Sequence, residues 1–388
     1  MEKLDFEQGP IRPPNEARSL LIRITRNCSW NQCLFCPVYK GKAFSRRSVS
    51  EIKEDIKTIS EMIKELHALS WQLGSGGRIN DAVISHVFHQ PGFSHAYRNV
   101  ATWLYYQEYT VFLQDGNNLV LPSEELVEIL TFLRLEIPQI SRITSYARAK
   151  TVSRKSLEEL QAIKKAGMDR IHIGLESGSD AVLQFMKKGV TAAEHIEAGK
   201  KVKEAGISLS EYWMPGLGGK SLWKDHALET ARVLNAINPD YIRIRTLRIP
   251  ERIPLHQLVL EGTFHPLNDD EMAEEIRLMI DHLEGISSTV TSDHIMNLLE
   301  DVSGTLPQDK GNMLATLDGY LQLSPEDRLV YRFGRRGGAY RSVKDMNDMI
   351  LKRKIQKAIE EVRLSYPGEE GMETFLAEMV NQIGRAHV

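Results

Sequence analysis

"ITRNCSWNQCLFCPVYKG", residues 24–41, holds every cysteine of a 388-residue chain: Cys28, Cys33 and Cys36. Three thiolates within nine positions make neither a disulfide framework nor a closed four-ligand zinc site. A dithiol redox pair would use Cys33 and Cys36 and leave Cys28 idle. A purely structural role in a core fits poorly, because Ser29, Asn31 and Gln32 between the cysteines are polar. A [4Fe–4S] cluster on three cysteines accounts for the count and leaves one iron open to another ligand. Clustered thiols with none elsewhere also point to a reducing compartment, so a cytoplasmic setting is expected.

Outward from this loop the chain alternates between two periods. SLLIRIT (19–25) is a short β-rich run ahead of the cysteines. After them, Ser48 and Glu51 have capping-box spacing, and Ile52, Ile56, Ile59, Ile63 and Leu66 keep a helical period. The strand–loop–helix unit then recurs. TVFLQDGNN (110–118) predicts a strand and turn, with Ser123 as N-cap of the next helix. RITSYA (142–147) precedes a helix capped by Ser156 and Glu159 and ended by Gly167. RIHIGLESG (170–178), ISLSEYWMPGLGG (207–219) and YIRIRTL (241–247) complete six strands. Such alternation predicts an α/β fold with a parallel sheet and right-handed crossovers. Polar and glycine signals stand at the carboxyl end of every strand rather than at one switch point. That favours a partial (βα)6 TIM-like barrel over a doubly wound sheet.

The domain reading is an N-terminal arm (1–18), a partial barrel (19–250) and a mainly helical C-terminal extension (251–388) without strands after about residue 290. Residues 72–108, rich in aromatics and histidine, interrupt the barrel as an insertion. An apolar fraction of 42% and a charged fraction of 26% place the chain among globular proteins. A net charge of −3 disfavours a nucleic-acid partner. No apolar run approaches the roughly 18–20 residues that cross a bilayer, so no membrane partner is expected.

With the cysteine loop after the first strand and Phe35 just before Cys36, the chain resembles the radical S-adenosylmethionine (SAM) superfamily over about residues 19–247. The loop is one residue longer than that superfamily's usual C-x3-C-x2-C and can still wrap a cubane. The text around strands four and five is similar to the elongator-type, methylthiotransferase and coproporphyrinogen-dehydrogenase branch. The resemblance implies that Cys28, Cys33 and Cys36 ligate the cluster and that SAM fills the open iron. It implies an external electron donor such as flavodoxin or ferredoxin. It also implies a 5′-deoxyadenosyl radical that abstracts hydrogen from a small or medium organic substrate.

By the same resemblance, Phe35 lies beside the cofactor and the turn of Asp115, Gly116 and Asn117 receives the SAM ammonium. Ser145 meets the ribose and Arg148 a carboxylate; Glu176 and Ser177 meet the ribose hydroxyls, Lys188 the SAM carboxylate and Met214 the adenine. Plain alternatives stay open at each place: an ordinary Asp-Gly turn, a solvated helix-end lysine, a loop that merely turns. With every cysteine committed, no auxiliary cluster is expected, which disfavours methylthiotransferase chemistry. Eighteen residues before the first strand and no D-x-H-x-x-G disfavour a fused cobalamin domain. RNA or peptide modification remains an alternative. So does a non-enzymatic iron–sulfur carrier, which would have no use for QDGNN or GLES. His86, His89 and His95 read as surface or lid residues rather than a second metal site. Asp293, His294 and Asn297 read as a polar helix start able to reach the barrel mouth.

Overall fold

The computed structural model describes residues 4–386, and the chain falls into two compact units. The first takes the chain up to Asn31, then Val38–Ile173 and Glu197–Leu209; the second takes Gln32–Pro37, Gly174–Ile196 and everything from Ser210.

In the first unit, β1 (Leu20–Arg23) leads to a two-stranded ribbon of β2 (Thr25–Arg26) and β3 (Ser45–Arg46), paired antiparallel. Helix α1 (Val49–Gln72) opens on the expected capping box, with the Ser48 side chain accepting from the Glu51 N–H. It buries Ile52, Ile56, Ile59, Ile63 and Leu66, the stripe its period predicts. The insertion is helical: α2 (Asp81–His89) and α3 (His95–Tyr106), capped by Asn80 and Ser94. Val83, Val87, Val100, Trp103 and Leu104 are buried, and both helices pack on α1, α3 also on β1. The indole N–H of Trp103 donates to the Thr110 carbonyl at 2.9 Å.

The repeats continue through β4 (Thr110–Gln114), α4 (Ser123–Glu136), β5 (Arg142–Ala147), α5 (Ala149–Ser153), α6 (Leu157–Ala166) and β6 (Arg170–Glu176). Strands β1, β4, β5 and β6 are parallel neighbours in that order, with Leu20 opposite Val111, Val111 opposite Ile143 and Tyr146 opposite His172. Ser123 is the first helical residue of α4 rather than its cap, which is Pro122. Its hydroxyl is committed elsewhere, donating to Glu159 at 2.5 Å and accepting from Lys155 at 2.7 Å. The N-terminal arm is part of this unit. The Gln114 amide accepts the Gly9 N–H at 2.8 Å and donates to the Ile11 carbonyl at 2.7 Å, while buried Glu16 pairs with Arg142 at 3.0 Å.

Helix α7 (Asp180–Phe185) lies in the second unit; β6, α8 (Ala192–Glu204) and β7 (Ser208–Trp213) straddle the chain divisions. Then come α9 (Gly219–Ile237), β8 (Tyr241–Ile244), α10 (Pro254–Leu260), α11 (Asp269–Asp281), β9 (Thr289–Thr291) and β10 (Gly304–Thr305). Helices α12 (Lys310–Leu321), α13 (Pro325–Arg336), α14 (Met349–Arg363) and α15 (Gly368–Ala386) close the chain. Strands β7, β8 and β9 run parallel, and β10 adds antiparallel. The C-terminal part, read as strandless after about residue 290, therefore supplies β9 and β10. Two or three residues are too few for alternation to register as a pattern. Arg335 and Arg336 of α13, both buried, bond Glu300 at 2.6 Å and the Met296 carbonyl at 2.7 Å, holding the stretch 293–300. Among the described residues no helix is long and apolar enough to cross a membrane.

Candidate active site

In the first unit, the turn after β4 is built around the cysteine loop. Asp115 is fully buried. Its carboxylate accepts from the Arg23 guanidinium at 2.9 and 2.8 Å, the Asn27 backbone N–H at 2.9 Å and the Tyr39 hydroxyl at 2.9 Å. It thereby fixes the residue before Cys28 and the third residue after Cys36. At Gly116 a Cβ would sit 3.3 Å from the Tyr39 ring and 3.6 Å from the Cys28 Cβ, so glycine lets the turn lie against the first cysteine. The Asn117 amide donates to Ser29 at 3.0 Å and Thr151 at 2.9 Å, and its oxygen accepts the Arg148 N–H at 3.0 Å. The Arg148 guanidinium stands 5.0 Å from the centre of the Trp30 ring, a cation–π distance. Buried Ser145 accepts from Asn118 at 3.1 Å and donates to the Tyr146 carbonyl at 3.0 Å. The structure thus gathers Asp115, Gly116, Asn117 and Arg148 around residues 27–30.

The second unit holds Phe35 in an apolar core with Val182, Met186 and Leu217, and Cys33 and Cys36 pack against that core. Backbone bonds from Leu34 N–H to the Met186 carbonyl (3.0 Å) and from Leu255 N–H to the Leu34 carbonyl (3.1 Å) pin this part of the loop. The Lys188 ammonium lies 5.6 Å from the Phe35 ring centre and 3.3 Å from Glu176 Oε1. Glu176 has φ +63°, a left-handed conformation rare outside glycine, and its carbonyl accepts the Met214 N–H at 3.1 Å. A Cβ on Gly174 would collide with the Glu176 carboxylate. Buried Ser177 accepts the Ser179 N–H at 3.0 Å.

Beside this pair stands a residue the sequence reading did not select. Glu211 of β7 is fully buried, and neither of its oxygens has a hydrogen-bond partner; Glu176 Oε2 has none either. Burial pushes the Glu211 carboxyl well above the usual range; the Lys188 charge opposes this and the Glu176 charge adds to it. Its signal in the sequence was a lone carboxylate inside SLSEYW, a strand buried from Leu209 to Trp213. Orphaned buried carboxyl oxygens call for hydrogen-bonding groups such as hydroxyls, which no described side chain supplies to them.

The other candidates are engaged with neighbouring protein groups. His86 packs its ring on Phe93 at 6.3 Å, His89 Nδ1 lies 2.7 Å from the carbonyl oxygen of Ser85 in its own helix, and His95 Nδ1 is 3.4 Å from Asn99. Asp293 lies 3.3 Å from Arg243. Asn297 is buried, accepting from Thr246 and donating to the Ile244 carbonyl at 2.8 Å.

Residues 100–231, from α3 into α9, match the family model of the radical SAM superfamily. Over these residues the chain is similar to radical SAM domains. Radical SAM proteins use a [4Fe–4S] cluster and SAM. The match begins downstream of Cys28, Cys33 and Cys36. The chain is 25% identical over 186 residues to an uncharacterised protein of Methanocaldococcus jannaschii, covering 48% of this chain and 56% of that one. It is 27% identical over 122 residues to a tRNA uridine(34) acetyltransferase of Methanocaldococcus infernus, covering 31% of this chain and 23% of that one. It spans little more than half of the first of these curated relatives and about a quarter of the second. The coproporphyrinogen III oxidase of Escherichia coli, a solved radical SAM structure, aligns with TM-score 0.40 and 12% identity, over 65% of this chain and 49% of that one.

The residues present fit both cofactors of the family. The three cysteines are half-buried and offer a thiolate donor set suited to iron. The orphaned oxygens of Glu176 and Glu211 suit the hydroxyls of a ribose. Among the described residues no group of three or more His, Cys, Asp or Glu side chains is arranged to hold a metal ion, so the ligand set rests on the cysteine spacing.

Proposed function

We propose that this chain is a radical SAM enzyme whose [4Fe–4S] cluster is held by Cys28, Cys33 and Cys36 and whose substrate is a small or medium organic molecule. The observation that carries this reading is the set of buried, unpartnered carboxyl oxygens at Glu176 and Glu211 beside Lys188. An iron–sulfur carrier has no use for such a set. Together the bound cluster and SAM supply a 5′-deoxyadenosyl radical for hydrogen abstraction, the electron coming from an external donor such as flavodoxin or ferredoxin.

The chain's own residues hold and orient. Asp115 ties Asn27 and Tyr39 together, so that the loop between them is pre-shaped before iron arrives. In this reading Asp115 and Ser145, whose polar atoms already have protein partners, support the loop and strands rather than touch SAM. Glu176 and Glu211 accept or share hydroxyl protons of the ribose, and Ser177 follows Glu176 at the end of β6. Lys188 and Arg148 are the cations for the carboxylate, Gly116 and Asn117 line the ammonium end, and Met214 and Phe35 give apolar walls that exclude water. Three reduced thiols fit a cytoplasmic setting.

The test is anaerobic reconstitution. About four irons per chain are expected, and Cys33→Ala should abolish the cluster's absorbance. Dithionite and SAM should then yield 5′-deoxyadenosine. Persistent absence of that product from a fully loaded protein would overturn the enzyme in favour of the carrier.

RNA modification is the second reading, favoured by similarity to a tRNA uridine(34) acetyltransferase and opposed by the net charge of −3. Stimulation of 5′-deoxyadenosine formation by bulk tRNA would select it.

A further inference from the structure

Two fully buried residues of the second unit pair with each other across helices α9 and α11. His226 of α9 and Glu275 of α11 are both fully buried, and His226 Nδ1 lies 2.8 Å from Glu275 Oε1. The second carboxylate oxygen, Oε2, accepts the backbone N–H of Gly216 at 2.5 Å. The second imidazole nitrogen, Nε2, lies 3.1 Å from the backbone carbonyl oxygen of Glu176 and 3.3 Å from the indole nitrogen of Trp213; carrying a proton it donates to the carbonyl, and the indole is then a neighbour rather than a donor to it. One side-chain pair therefore grips the backbone at two separate places.

Both places need holding. Glu176 sits at φ +63°, a conformation a side-chain-bearing residue keeps only when its surroundings impose it. Its carbonyl is fixed by the Met214 N–H and by His226, and this fixes where its carboxylate points. Gly216, at φ +89°, is the bend of the loop that begins at Met214, and its N–H is committed to Glu275. A carboxylate taken fully out of water is costly unless its oxygens are satisfied. Here the satisfying groups are the loop amide and the histidine.

We infer that Glu275 and His226 are a positioning dyad, through which helix α11 sets the Glu176 backbone and the Met214–Gly216 loop that receive the adenosyl part of SAM. This rests on the reading of Glu176 and Met214 as SAM contacts. It gives the C-terminal region a definite task, since Glu275 lies beyond residues 100–231, which carry the family match, whereas His226 lies within them. Neither residue touches cofactor; both act through Glu176 and Gly216.

The experiment uses the reconstituted full chain and S-adenosylhomocysteine, which is not cleaved, as the calorimetric probe. Glu275→Gln keeps the volume but cannot accept from both Gly216 and His226. About a 10-fold loss of affinity is expected, with KM for SAM raised by a similar factor and kcat for 5′-deoxyadenosine changed far less. His226→Asn keeps a donor beside Glu275 but no longer reaches the Glu176 carbonyl, and should lose affinity in the same direction. Glu373→Gln, whose carboxylate pairs with Arg332 at 2.6 Å on the C-terminal helices, is the comparison and should bind as wild type. A folded Glu275→Gln or His226→Asn that binds the probe within about 2-fold of wild type overturns the dyad alone. A wild-type holoprotein that neither binds the probe nor cleaves SAM overturns the dyad together with the reading beneath it.

Discussion

The carboxylate of Asp115 accepts the backbone N–H of Asn27 at 2.9 Å, one residue ahead of Cys28. The same group receives the Tyr39 hydroxyl and the Arg23 guanidinium, so a residue far along the chain shapes the loop that carries all the thiols.

Asp115→Asn removes the charge that Arg23 is paired with and one of the acceptor positions. Arg23 keeps its ion pair with Glu7 at 2.9 Å, so the loss is of one of its two carboxylate partners, at a cost of about 1–3 kcal/mol. Thermal unfolding should show a lower Tm, and reconstitution should load fewer irons per chain than wild type. A variant that loads iron as fully as wild type would remove Asp115 from the assembly of the loop.

Glu211 gives a pH signature. Its carboxyl is raised by burial, so its contribution to stability is complete below the unfolded value of 4.5 and is lost as pH rises through the folded pKa. Glu211→Gln cannot ionise and is free of that loss. In urea unfolding without ligand, the variant should gain on wild type as pH goes from 5 to 8. Equal pH profiles for the two proteins would count against a protonated buried Glu211.

Gly178 follows Ser177 at a point of backbone contact. A Cβ there would stand 2.6 Å from the Glu229 carbonyl carbon and 2.6 Å from the Thr230 Cα. Backbone cannot yield as a side chain does, so Gly178→Ala should cost about 3 kcal/mol or more. Gly311→Ala is the contrast: nothing lies within 4 Å of a Cβ in α12, and the helix should gain about 0.5–1 kcal/mol. Denaturant melts of the two variants should move in opposite directions.

Asn297 ties the stretch after β9 to the end of β8 through Thr246 N–H at 3.0 Å, the Thr246 hydroxyl at 2.9 Å and the Ile244 carbonyl at 2.8 Å. Asn297→Ala leaves these groups buried without partners, at a cost of about 2–4 kcal/mol. Equilibrium unfolding measures it, and a loss below about 1 kcal/mol would mean that water replaces the amide.

The repeating elements were legible because local rules wrote them. The Ile52–Leu66 stripe, the Ser48–Glu51 and Ser156–Glu159 boxes and the apolar strands of 110–176 each speak within a window of one element. What misled was also local. Ser123 looks like a cap, yet its hydroxyl serves Glu159 and Lys155, and β9 is too short to show alternation. Glu211 was visible only as an odd charge in an apolar strand.

By itself, the sequence determined that this chain alternates strands and helices and that it gathers three thiols in one loop, because periodicity and spacing are properties of neighbouring residues. Only the tertiary structure decided that Asp115 serves Asn27 and Tyr39, that Glu211 is buried without a partner, and that Glu275 reaches Gly216 and His226. Those relations join residues tens of positions apart, and hydrogen bonding and desolvation depend on distance in space, which no local pattern records.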